Sequence, residues 1–144
     1  MRKDRNPLMT NRREFLSAAA AQSTVSASGR KSPIANKAVS LEDTRASEFP
    51  QGAARTYLNG PTDQLKDLAT GTWRIKPGRS PHDVHQHPEE ELLIFTEGAG
   101  EIVIAGVRQP VKHGSVMYCA ANVPHGVFNG PGSEMLFYFV KWRA

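Results

Sequence analysis

Downstream of about residue 53, short stretches of β-branched and aromatic residues alternate with Gly and Pro, and no apolar pattern persists long enough for a helix of ordinary length. This is the patterning of an all-β sandwich or barrel. It predicts strands over residues 55–59, 70–76, 83–87, 91–96, 101–105, 115–119, 124–129 and 134–142. Ala105-Gly106 and His113-Gly114 supply turn glycines, and Asn129-Gly130-Pro131-Gly132 is the strongest turn signal in the chain. A helical turn is expected only near 62–68, because a helix elsewhere would carry Gly and Pro in its interior. The strand at 134–142 is apolar at nearly every position, so both of its faces are expected to be covered, one of them by a second subunit.

The upstream third is patterned differently. Residues 28–52 are mostly Ser, Ala, Lys and Glu without apolar periodicity, and read as a linker or extended arm with an edge strand at its end. Within residues 1–27, Thr10-Asn11-Arg12-Arg13-Glu14-Phe15-Leu16-Ser17 precedes an alanine-rich stretch and the small-residue site Val25-Ser26-Ala27. This resembles a twin-arginine export signal, cleaved after Ala21 or Ala27, and implies a periplasmic or secreted protein. An alanine-rich amphipathic helix or a disordered basic tail is the alternative.

Length and charge narrow the picture. The 144 residues suit one barrel domain, expected over 53–144. The longest apolar runs, 116–121 and 135–140, fall far short of the roughly 20 residues that a membrane-spanning helix requires. Of the +4 net charge, most sits in residues 1–27, where five basic residues face two acidic ones. The rest of the chain is nearly balanced and has no basic cluster, which argues against a nucleic-acid partner. The single cysteine, Cys119, excludes an internal disulfide and a Cys-based zinc site, and its apolar strand marks it as a core residue.

All five histidines lie between residues 82 and 125. In His85-Gln86-His87 a strand's two-residue period would aim both imidazoles the same way. Glu89-Glu90-Glu91 follows, then Gly98, Gly114, Pro124, His125 and Asn129. The spacing of His85, His87, Glu91 and Gly98, and then of Gly114, Pro124, His125 and Asn129, resembles the two motifs of the cupin family. Gly78 lies one residue further from His85 than the family pattern has it. Ala120 and Asn122 stand where Pro and Gly are frequent, although Asn tolerates the left-handed backbone of a turn.

The resemblance implies a small antiparallel β-barrel of jelly-roll, or double-stranded β-helix, type. It implies one divalent transition metal (Fe, Mn, Zn or Ni) held by His85, His87, Glu91 and His125, and a homodimer. Three neutral imidazoles and a carboxylate suit such an ion and leave coordination sites for water or substrate. The alternative is a barrel whose histidines merely hydrogen-bond in the pocket. Glu90 replaces Glu91 if the strand slips by one. His82 and His113 are expected on the surface, and Arg74 either faces outward or binds an anion inside the barrel. Two functions follow: a metal-dependent oxygenase or isomerase acting on a small polar molecule, with Glu91 as the candidate catalytic base, or a non-catalytic module binding a small ligand or metal.

Overall fold

The structure, a computed structural model, describes residues 31–144. The leader assigned to residues 1–27 lies outside them. Nine antiparallel strands follow a short 3-10 turn at Leu41–Asp43: β1 (Ser47–Phe49), β2 (Gly52–Gly60), β3 (Asp67–Ile75), β4 (Glu90–Glu97), β5 (Ala99–Ile104), β6 (Val107–Lys112), β7 (Val116–Cys119), β8 (His125–Asn129) and β9 (Met135–Arg143). They form a six-stranded sheet, ordered β1-β2-β3-β9-β4-β7, and a three-stranded sheet, ordered β6-β5-β8.

The six-stranded sheet turns Ala54, Trp73, Ile75, Leu93, Phe95, Met117, Met135 and Phe137 inward, where they meet Ile102 and Val127 of the other sheet. Side chains alternate along each strand, so the intervening residues face out. Close approach of neighbouring elements fixes some residue types. A Cβ at Gly71 would lie 2.1 Å from the Arg55 carbonyl oxygen and 2.5 Å from the Phe139 ring. Gly98, between β4 and β5, has φ +79°, and its Cβ would meet the Glu134 carbonyl oxygen at 2.4 Å.

Several sequence expectations change. Residues 83–87 do not form a strand and are tied to β8 by one bridge, His85 to His125. Proline lacks an amide hydrogen for a ladder, and Pro81 and Pro88 flank the segment. The helical turn near 62–68 is absent. The Thr62 hydroxyl instead accepts the amides of Gln64 and Leu65, and β3 already begins at Asp67. Strand β6 was not foreseen, because it is an almost wholly exposed edge carrying Pro110. The edge strand expected at the end of the arm is β1. In β9 only the inner face is buried, by Met135, Phe137 and Phe139, while Tyr138 is 41% exposed.

Candidate metal centre

Alternation along β4 decides which glutamate enters the barrel. Glu91 is buried with Leu93 and Phe95, whereas Glu90 faces outward and accepts the Tyr118 hydroxyl at 2.9 Å. The strand does not slip. His125 opens β8 on the opposite sheet. His85 and His87 sit at the end of the long loop between β3 and β4, whose two ends are both anchored.

At its start, Asn129 Nδ2 donates to the carbonyls of Ile75, Lys76 and Ser133, and its backbone amide donates to Arg79. At its end, His85 and His125 exchange backbone hydrogen bonds of 3.0 and 2.8 Å, and the Asn122 amide donates to the His87 carbonyl at 2.7 Å. Asn122 has φ +61°, the left-handed turn conformation that its residue type predicts. Hydrogen bonds rather than strand alternation therefore bring the two imidazoles together. The ring centroids of His85, His87 and His125 lie 4.7 to 5.2 Å apart.

A carbonyl can only accept, so the contacts of His87 Nδ1 with the Glu89 carbonyl (3.0 Å) and of His125 Nδ1 with the Val123 carbonyl (2.8 Å) place the ring protons on Nδ1. In the neutral rings Nε2 is then a bare lone pair, and a second proton on His125 Nε2 would point at Glu91. The two Nε2 atoms and His85 Nδ1 are buried without a hydrogen-bond partner, and ligand atoms of the three histidines lie within 4.8 Å of one another. Glu91 Oε2 stands 2.8 Å from His125 Nε2 and 3.6 Å from His87 Nε2.

A carboxylate oxygen pressed against lone pairs is unfavourable unless positive charge lies among them. The local electrostatics point the same way. Burial would raise the Glu91 carboxyl, yet the neighbouring His125 and His87 outweigh it and hold the group well below the usual carboxylate range. Burial would lower His125, but Glu91 holds it above the ordinary imidazole value. His85 is pushed down to about 3 by burial and by the charges of His82, His125 and His87, so it is neutral. Imidazole nitrogens and an ionised carboxylate are the donor set that a divalent first-row metal takes, and binding would displace the proton that Glu91 favours on His125.

Other candidates separate cleanly. The exposed His82 packs edge-on against His85 at 3.9 Å, so it reaches the cluster although it sits in a surface loop. The exposed His113 contacts the Thr96 carbonyl at 2.7 Å, away from the site. Cys119 is buried opposite Glu91, its thiol raised by burial and directed at the Ala120 and Val123 carbonyls. Arg74 faces outward and pairs with Glu97 (2.8 Å) and Glu134 (3.2 Å). The cation on the inner face is instead Lys141, which sequence reading missed. It shares the parity of Phe137 and Phe139 along β9 and is the Cα partner of Glu91. Counting by twos from those aromatics would have found it. An open groove between residues 34–37 and 62–65 contains none of these groups.

Comparison with known proteins agrees with this architecture. Residues 71–141 match the cupin domain family. Dimethylsulfoniopropionate lyase DddW of Ruegeria pomeroyi is 30% identical over 77 residues, covering 54% of this chain and 50% of that protein. The match thus spans about half the length of the curated relative. Among solved structures, an RmlC-like cupin from Shewanella frigidimarina superposes with a TM-score of 0.63 at 17% identity, covering 76% of this chain and 93% of that one. KdgF from Halomonas sp. gives 0.64 at 14% identity, covering 76% and 96%. A variant of Bacillus subtilis oxalate decarboxylase gives 0.65 at 23% identity, covering 79% of this chain and 31% of the other. At these identities the superpositions establish the fold. The motif spacing, the jelly-roll topology and the family match all fall on the same residues, so the fold is the jelly roll of these cupin structures and residues 71–141 are similar to the cupin domain family.

Proposed function

We propose that the domain is a metalloenzyme holding one divalent transition metal through His85, His87, His125 and Glu91 and acting on a small polar molecule at the barrel mouth. The carrying observation is the convergence of three imidazoles and the Glu91 carboxylate, with His85 Nδ1 and His87 Nε2 buried without a hydrogen-bond partner and His125 Nε2 against Glu91. When bound, the metal supplies Lewis acidity toward a carbonyl or carboxylate oxygen, or a redox centre for O2. The protein's own contribution is orientation. The Glu89 and Val123 carbonyls fix the tautomers of His87 and His125, and the loop anchors fix where their lone pairs point.

Glu91 is ionised, which suits a metal ligand; it would act as a base only after leaving His87 and His125, whose contacts depress its proton affinity. The curated relative is a lyase by name, and that favours the non-oxidative class over an oxygenase. The same reading includes export through Arg12-Arg13 and a homodimer. Support for the dimer comes from Ile94, Val116, Tyr118 and Tyr138, which lie exposed on adjoining strands of the outer face.

The test is metal analysis followed by turnover. Purified chain should carry about one metal ion, and His87→Ala or His125→Ala should remove most of it. Unchanged metal content in both variants sinks the assignment. Loaded with Fe(II), Mn(II), Ni(II) or Zn(II), the protein should convert a small enol, diketone or hydroxy acid without consuming oxygen. Oxygen uptake coupled to product would reassign it as an oxygenase. Ligand binding with no product under any of the four metals would make it a binding module.

A further inference from the structure

We propose that Lys141 is the anion-binding arm of this site, and that its ligands are small carboxylates held with the carboxylate on the Lys141 ammonium and a second oxygen at the metal. The inference rests on the metal centre proposed above and names the substrate class of that site.

Two observations place the ammonium. Lys141 is the Cα partner of Glu91 on one side and of Ala69 on the other, within the row Cys119, Glu91, Lys141, Ala69 that crosses the inner face of the six-stranded sheet. Its Nζ lies over the Phe139 ring, 5.6 Å from the centroid, and Phe139 is itself buried. Among the described residues no carboxylate is in ion-pair contact with it, because the Glu91 oxygen is turned to His87 and His125. Arg74, in contrast, has its charge answered twice on the outer face.

A half-buried ammonium beside a divalent ion with only one carboxylate between them leaves positive charge uncompensated in a partly desolvated mouth. Cation–π contact with Phe139 holds the group in place without neutralising it. A ligand carboxylate supplies the missing charge, and a lysine ammonium can meet it through any of three donors. Neutral sugars and catechols would leave the charge unanswered.

The experiment is calorimetric titration of malonate, and of neutral malonamide, into the full chain loaded with Zn(II) and into the chelator-treated chain. Lys141→Met keeps the apolar stem over Phe139 and removes the charge, and Lys141→Arg restores the charge. Malonate should bind the wild type more tightly than malonamide does. Lys141→Met should weaken malonate by about tenfold or more in both metal states, with bound zinc and malonamide affinity unchanged, and Lys141→Arg should recover most of the loss. Malonate affinity in Lys141→Met within about twofold of wild type, or no preference for malonate over malonamide, overturns the proposal. A wild type that takes up no zinc overturns the metal centre instead, and the chelator-treated titrations then still report on Lys141.

Discussion

Single residues in this barrel carry constraints that can be tested one at a time. Asn129 ties the Ile75 and Lys76 carbonyls, at the start of the histidine loop, to the Ser133 carbonyl before β9. Asn129→Ala leaves them without that donor, so we expect a loss of roughly 1–3 kcal/mol in denaturant unfolding and weaker metal binding from a loosened loop. Ala105 is the opposite case. It sits at φ +49° beside Gly106 at φ +81° in the two-residue turn between β5 and β6, where a primed turn requires positive φ at both positions. Ala105→Asn should therefore stabilise the fold by about 0.5–1 kcal/mol, read as a shift in the unfolding midpoint. Of the candidate site, spacing named His85, His87, Glu91 and His125, which the fold brings to one place. What spacing could not supply was Lys141, because no motif contains it and only the register of β9 against β4 reveals its partner.

Elements were legible where one face had to be buried. The strands with alternating burial, such as β4 and β7, were found to within a residue or two because a slip would bury the wrong face. β6 escaped because an exposed edge has no burial to impose a pattern. Residues 83–87 were mistaken for a strand because alternation describes side chains only. Their backbone groups had one neighbour to pair with, at His125. The pairing of β2 with β3 offers a test at this scale. Gly71→Ala would drive a methyl into the Arg55 carbonyl, which is backbone and cannot rotate away, and into the Phe139 ring beneath Lys141. Overpacking of this kind costs about 1–3 kcal/mol, and circular dichroism melts of the variant should show it.

At the level of the whole molecule, charge and assembly are the measurable properties. His85, lowered to about 3 from an ordinary value near 6.5, binds fewer protons folded than unfolded, so its contribution is present above about pH 6.5 and lost as pH falls toward 3. Glu91, also lowered, adds to the loss below the usual carboxylate range, while His125, raised by its contact with Glu91, opposes it. The chelator-treated chain should thus show falling unfolding midpoints from about pH 6.5 downward, and a flat profile would contradict the burial of His85. For the proposed dimer, sedimentation equilibrium should give twice the chain mass, and Ile94→Lys with Val116→Glu should halve it. The proposed ligand set also has a mechanical consequence, because Glu91 belongs to one sheet while His125, and through it His85, belongs to the other. An ion joining them is a rivet through the sandwich, so metal supply would govern how fast the walls part. Amide exchange along β8 and β4 should slow together when metal is added, whereas β1, at the far edge of the six-stranded sheet, keeps its own pace.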